Sequence, residues 1–489
     1  MNILMISAEM APVAKVGGLG DVVDALSRAL AAGGHDVRVI LPLYGDLNRK
    51  KEKIAPIKTL PPLSVRVGQK AHDIRFYRRG SARAAVKVYL VECAALFDRP
   101  GIYTDAAGNG FSDSLDRASL HAQAALMLPR LLDWPVDVFH AHDAEAVPAL
   151  LYRRQWYADR EVPGPAATVL TIHNLAHQEV HPAGAAETLG LPATMAAYPG
   201  LLEFHGQLNL LKAGIVGADV VNTVSPTYAE ETRSTQAFGC GLDEMLASRG
   251  DDYTGILNGA DYGTWDPAKD KALPATFTPG DLAGKARCRA VLLKELKLDS
   301  GGAKPLCGFV GRLVRQKGME LVLPLLDRLA GDGFTFAILG TGEPRLEKAM
   351  HAVAKRHPAQ VAFCDAFDEK LAHRIYASSD LFLMPSDFEP CGLSQMYALK
   401  YGTPPVVRKT GGLADTVVDA VGDTGTGFVF DEARPEELLA TLRRAEKLWA
   451  DPKAWLALQK RGMACDFSWA EAATAYEKLY ARILRPKVR

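Results

Sequence analysis

Residues 15–21 read Lys-Val-Gly-Gly-Leu-Gly-Asp, a spacing that lets an anion approach the backbone. A short apolar run at 2–7 precedes them. Val22, Val23, Ala25, Leu26, Ala29 and Leu30 follow at helical spacing until Gly33 and Gly34. A strand, a glycine loop and a helix start together form an anion site, because free backbone N–H groups and the positive end of the helix dipole meet there. Lys15 adds a full charge. The alternative is a plain strand-to-helix turn. No Gly-Lys-Ser/Thr occurs, which excludes a Walker A loop. A dinucleotide fingerprint wants an acid closing the next strand, and the run 36–41 closes on Pro42 and Leu43.

Other chemistry-bearing residues stand just past other apolar runs. His140, His142 and Asp143 follow 136–139, and His173 and Asn174 follow 168–172. Arg312 and Lys317 follow 308–311, and Glu389-Pro390-Cys391-Gly392-Leu393 follows 380–384. Lys409-Thr410-Gly411-Gly412 follows 405–407. An Arg fork with a mobile Lys charge suits a diphosphate, and helix starts at Gly392-Leu393 and Gly411-Gly412 would add N–H groups. A solvated surface pair is the other reading of Arg312 and Lys317. Glu389 reads equally as a surface acid or a partner of Arg312. A lone histidine is more often structural than catalytic. Cys391 is either a thiol acidified at a helix start or a small buried filler. No Asp-x-Asp closes a strand, and His140 and His142 share a strand face without further ligands in reach, so no metal is expected.

The elements that must position these residues alternate strand and helix. In the second half, strands are predicted at 306–311, 334–340, 361–367, 380–385, 404–408 and 427–430. Helices are predicted from Gly318, Glu343, Asp368, Gly392 and Gly411. In the first half, strands are predicted near 2–7, 36–41, 86–91, 136–140, 167–172 and 219–224. Runs such as 334–339 are apolar on both faces, as in parallel sheets covered by helices. At 489 residues the chain suits two large domains. The expected division is 1–262 with the helix 466–489, and 263–465 including a linker at 263–304. The α/β fold class then implies two doubly wound domains facing across a deep cleft, with ligands outside the carboxyl ends of the strands.

Composition excludes several classes. With 57 Lys and Arg against 57 Asp and Glu, the formal net charge is zero, which argues against nucleic acid as a partner. Lys87 and Glu92 break the apolar run 84–97, and no membrane span is expected. The N-terminus has no basic leader and meets Glu9 early; seven scattered cysteines without Cys-x-x-Cys suit a reducing compartment. A cytoplasmic protein is expected.

Taken in order, KVGGLGDV, HAHD, TIHNLAHQ, KAGIVGADVVNTVSPTYAEE, GILNGAD, GRLVRQKG and PSDFEPCGLSQMYALKYGTPPVVRKTGGLADTV resemble glycogen and starch synthases of the bacterial and plastid type. The match runs from Lys15 to about Val417. The resemblance implies a GT-B fold of two Rossmann-like domains. It also implies retaining transfer of glucose from ADP-glucose to the non-reducing end of an α-1,4-glucan, without a metal or other cofactor. By that resemblance Glu389, His173, Asp143, Arg312 and Lys317 are the catalytic set. Lys15, Gly17, Gly18, Asp21, Asn258, Phe367, Cys391, Gly392, Leu393, Thr410, Gly411 and Gly412 bind the donor, with Phe367 stacking on adenine. Without the resemblance, Asn258 reads as an Asn-Gly turn and Phe367 as a packed apolar residue. Tyr397 stands eight residues after Glu389, where broader relatives carry a second glutamate. The chain departs from the pattern at Ala144-Glu145, where a tryptophan often follows HAHD, and loosely at 111–117. Both departures bear on the acceptor. A related enzyme with a small sugar acceptor and a catalytically silent glucan-binding protein are the alternatives.

Overall fold

The computed structural model describes residues 1–158, 166–299, 304–366 and 368–484; Phe367 lies outside the described residues. The chain divides into two compact units. The first comprises Met1–Val224, Ala229–Gly259 and the C-terminal segment from Trp469; the second comprises Ser225–Tyr228 and Ala260–Ser468.

The strands of the first unit are β1 Asn2–Ile6, β2 Asp36–Pro42, β3 Ile54–Pro56, β4 Leu63–Val67, β5 Lys70–Arg79, β6 Val86–Glu92, β7 Val138–His142, β8 Ala167–Ile172, β9 Val180–Pro182, β10 Glu203–Phe204, β11 Gln207–Asn209, β12 Val220–Thr223 and β13 Tyr253–Gly255. Its main sheet runs β13-β12-β8-β7-β1-β2-β6-β5-β3, parallel from β13 to β6. The order reverses between β1 and β7, so the loops after those strands flank the crevice where doubly wound sheets bind ligands. Beyond β6 the sheet continues antiparallel through β5, with β3 and β4 paired on it. Apolar runs do not reveal this part. It alternates instead, with Val65, Val67, Ile74 and Phe76 buried and Ser64, Arg66, Asp73 and Arg75 exposed, and the turn falls at Gly68 with φ 55°. The strands β10-β11-β9 form a separate small sheet, also absent from the sequence reading.

The second unit holds β14 Leu306–Val310, β15 Thr335–Leu339, β16 Val361–Cys364, β17 Leu381–Met384, β18 Pro405–Arg408 and β19 Phe428–Phe430. All pair parallel in the order β16-β15-β14-β17-β18-β19, the doubly wound arrangement with its switch point between β14 and β17. The helices Met319–Gly331, Pro344–Arg356 and Pro435–Trp449 bury one apolar stripe each against it.

The C-terminal helix Trp469–Leu484 completes the core of the first unit. Trp469, Tyr476, Leu479 and Tyr480 are buried there beside Val22, Val23, Leu26 and Leu30 of the helix Gly18–Ala32. Gly259 is required by this packing, since a Cβ on it would come within 2.7 Å of Trp469. No helix among the described residues is long and apolar enough to cross a membrane.

Candidate active site

In the second unit, the loops after β14 and β17 meet at the switch point. Lys317 ends a single helical turn, Arg315–Lys317. Gly318 follows at φ 70°, where a Cβ would lie 1.9 Å from Pro385 O, so only glycine lets the two loops come this close. The Asp387 N–H donates to Gln316 O at 2.8 Å, and Gln316 Nε2 donates to Phe388 O at 3.3 Å. Arg408, at the end of β18, donates from Nε to Ser386 O at 3.0 Å and from Nη2 to Asp387 O. This clamp holds Glu389, only 5% exposed, so that its Oε2 accepts from Lys317 Nζ at 2.6 Å and Ser386 Oγ at 2.9 Å. Arg312 is exposed, with no hydrogen-bond or ion-pair partner among the described residues. The loop therefore offers one neutralised lysine and one unneutralised guanidinium, a set suited to an incoming phosphate group.

The glycines after β18 play a different part from an open cradle. The Gly412 N–H donates to Glu389 O at 3.1 Å, and Cβ atoms on Gly411 and Gly412 would lie 2.0 Å from Glu389 O and 2.1 Å from Cys391 O. These glycines let the helix Gly411–Thr416 lie against the Glu389–Cys391 backbone. Thr410 and Cys391 are buried; Gln395 Nε2 donates to the carbonyls of Cys391 and Gly392 at 3.0 Å each. Burial favours the filler reading of Cys391. Leu393 is half-buried immediately ahead of the helix Ser394–Lys400.

In the first unit, the glycine loop already has an internal anion. Glu9, 3% exposed, accepts from Val16 N at 2.6 Å and Gly17 N at 2.9 Å, and from the Tyr103 hydroxyl at 2.8 Å. Gly17 thus serves Glu9 rather than a free ligand. Cβ atoms on Gly17 or Gly18 would meet nothing within 4 Å, so space for a close approach remains beside the helix start. Lys15 pairs with Asp21 at 2.7 Å, with roughly two-fifths of each side chain exposed. Burial raises the Asp21 carboxyl above its ordinary range despite that lysine.

Asp143 follows β7 at φ 59°, ψ −177°, a conformation that costs a non-glycine residue about 1–3 kcal/mol. The strain puts its Oδ1 2.7 Å from the His173 N–H, which donates to it. Burial pushes the Asp143 carboxyl up to about 7 and the neighbouring Glu145 carboxyl to about 8. Burial also lowers the His173 imidazole to about 3, so the ring is neutral near pH 7. Asn258 is buried at the end of the unit, its Oδ1 without a partner among the described residues. A cavity of about 50 Å³ lies between Tyr44, Tyr103, Arg117, Glu145 and Glu179. Arg117 is 7% exposed; its Nη1 donates to Ile102 O at 2.7 Å, while Nε and Nη2 have no partner among the described residues. Both sequence departures, at 111–117 and 144–145, therefore reach this cavity.

Sequence reasoning did not single out Glu9, Ser386, Arg408 or Arg117 as site residues. Glu9 lies three residues past β1, so the strand-end rule could have found it. Among the described residues, no group of three or more His, Cys, Asp or Glu is placed to hold a metal ion.

A family model for the starch synthase catalytic domain matches residues 2–248, and one for glycosyl transferases group 1 matches 295–458. A glycogen synthase of Anaeromyxobacter sp. is 45% identical over 99% of this chain and all of its own length. That of Halorhodospira halophila is 44% identical over 99% of each chain. The catalytic domain of starch synthase IV from Arabidopsis thaliana, solved with ADP and acarbose, superposes with a TM-score of 0.89 at 34% identity over 99% of each chain. Sucrose-phosphate synthase from Thermosynechococcus elongatus shares the fold, with a TM-score of 0.61 at 18% identity over 99% of this chain and 98% of its own.

Proposed function

Given that this chain belongs to the starch synthase family of glycosyltransferases, we propose that its glucosyl donor is ADP-glucose, and that it extends the non-reducing end of an α-1,4-glucan with retention at the anomeric carbon. The fold is GT-B, and the reaction is glucosyl transfer to a glucan. The observation that carries the finer reading is the Lys317–Glu389 pair, with Arg312 earlier in the same loop, at the switch point of the second unit.

In this reading the bond between the glucose anomeric carbon and the diphosphate oxygen breaks, and its electron pair leaves with the diphosphate. Arg312 and Lys317 stabilise the charge that grows there, a role in which fixed cations replace a metal ion. Glu389 holds Lys317 in place and accepts sugar hydroxyls. An acceptor hydroxyl attacks the same face of the sugar and gives its proton to the departing phosphate, leaving an extended glucan and ADP. Asp143 and His173 contact the transferred glucose. By the family resemblance the residue for the adenine is Phe367, which lies outside the described residues. The starch synthase IV structure holds ADP and acarbose, which supports a nucleoside diphosphate and an oligosaccharide as ligands here.

The test is transfer of radiolabelled glucose from ADP-glucose and UDP-glucose to glycogen, maltotriose and monosaccharide phosphates. Incorporation into glycogen from ADP-glucose is expected. Incorporation only into a small sugar phosphate would overturn the reading.

A further inference from the structure

A network of buried rings in the first unit lies behind His173. On β7, His140 and His142 point to one face and stack at 4.2 Å with 30° between their planes. His140 Nδ1 is 2.8 Å from the Tyr480 hydroxyl and His140 Nε2 is 2.6 Å from Thr171 Oγ. The Thr171 hydroxyl donates to Asn222 Oδ1 at 2.7 Å, so it receives from His140 Nε2–H, and His140 Nδ1 receives from Tyr480. Both His140 nitrogens are therefore committed, and the ring is a fixed platform under His142.

His142 has two neighbours. Its Nε2 lies 3.3 Å from Met5 Sδ, and its Nδ1 lies 3.0 Å from His173 Nε2. A thioether has no proton to give, so a hydrogen bond at this contact requires the proton on His142 Nε2. His142 Nδ1 is then bare, and the proton between the two imidazoles sits on His173 Nε2. Its remaining nitrogen, Nδ1, carries no proton. No described residue hydrogen-bonds His173 Nδ1.

We propose that Met5 and His142 are positioning residues that set the tautomer of His173, so that His173 presents a bare Nδ1 as an acceptor to a substrate hydroxyl. Burial holds His140, His142 and His173 well below the ordinary imidazole range, which keeps all three rings neutral and the assignment of one proton per ring valid. The opposite tautomer would turn Nδ1 into a donor and meet a sugar hydroxyl through its oxygen instead. The functional half of this proposal rests on the reading in which His173 contacts the transferred glucose; the tautomer half does not.

The experiment is ring-nitrogen NMR of the full chain labelled with ¹⁵N-histidine, without substrate, on the wild type, Met5→Leu and Met5→Gln. Single His→Gln variants assign the signals. Leucine keeps the volume of methionine but accepts nothing, and the glutamine oxygen restores an acceptor. Protonated Nε2 on both His142 and His173 is expected in the wild type and in Met5→Gln. In Met5→Leu the proton is expected to move to Nδ1 on both rings. With it, kcat should fall about ten-fold while KM for the nucleotide sugar stays within two-fold, the loss of one oriented hydrogen bond. A protonated Nδ1 on wild-type His173, or tautomers unchanged in Met5→Leu, would overturn the proposal and leave glucosyl transfer standing. A swapped tautomer with unchanged kcat would overturn its functional half. Wild-type tautomers as stated, in a protein that transfers no glucose, would sink the reading of function instead.

Discussion

Lys317 Nζ sits 2.6 Å from Glu389 Oε2, joining the loops that follow two adjacent parallel strands. The carboxylate is almost fully buried and takes a second hydrogen bond from Ser386, so the lysine is held near one position before any ligand arrives.

Removing the ammonium should cost charge stabilisation in the transition state. Lys317→Ala is expected to lower kcat by about two orders of magnitude, with Arg312→Ala comparable. Because Glu389 is hydrogen-bonded to Lys317, the double variant Lys317→Ala/Glu389→Ala should lose far less than the product of the single losses. Multiplying losses in steady-state kinetics would count against a joint role.

Chelation should leave turnover essentially intact. Rates measured with EDTA, and again with added Mg²⁺, are expected to agree within two-fold. Activity abolished by the chelator and restored by the ion would remove Arg312 and Lys317 as the neutralising groups.

Glu9 fills the anion position that the glycine loop builds for itself. Glu9→Ala leaves the Val16 and Gly17 N–H groups without their partner and should destabilise the chain by about 1–3 kcal/mol. Urea denaturation reads the stability, and KM for the nucleotide sugar should rise as Lys15 loses its fixed backbone. Unchanged values of both would show that the loop holds itself.

The raised carboxyls give a pH dependence with a definite sign. Asp143 and Glu145 move from 3.8 and 4.5 up to about 7 and 8 on folding. Between those limits the folded chain keeps protons that the unfolded chain has released, so their contribution to stability falls as pH rises from about 4 and levels off above 7 to 8. Tm should decline from pH 5.5 to 8.5, and Glu145→Gln should flatten that decline. A steeper decline in the variant would contradict the assignment.

Phe367→Ala should raise KM for ADP-glucose several-fold and narrow the preference over UDP-glucose, with kcat little changed. Stacking on the larger purine face is worth about 1 kcal/mol more than on uracil. An unaltered donor ratio would place base recognition elsewhere in the chain.

The parallel strands were legible because burial on both faces turns them into unbroken apolar runs. The run 306–311 corresponds to Leu306–Val310 and the run 380–385 to Leu381–Met384, and each ends at residues carrying chemistry. The antiparallel strands Leu63–Val67 and Lys70–Arg79 escaped because one face is solvated and the signal is alternation. Partners that depend on how a loop curls, such as Glu9 with Val16 and Gly17, have no signature in spacing. Nor does the contact between His140 and Tyr480, which lie 340 positions apart. The glycines at 411 and 412 look like an anion cradle in sequence, and their close backbone packing on Glu389 and Cys391 is visible only in three dimensions.

The return of Trp469–Leu484 to the first unit has a consequence for the order of events on the ribosome. Nearly all of the second unit is translated before the helix that closes the first one. Until then the apolar faces of Val22, Leu26 and Leu30 lack Tyr476 and Tyr480, and His140 lacks the Tyr480 hydroxyl. At synthesis rates of about 5–20 residues per second, the N-terminal half waits tens of seconds for its last piece. The usual sequence, N-terminal domain first, therefore cannot be completed here until the C-terminal helix has been made.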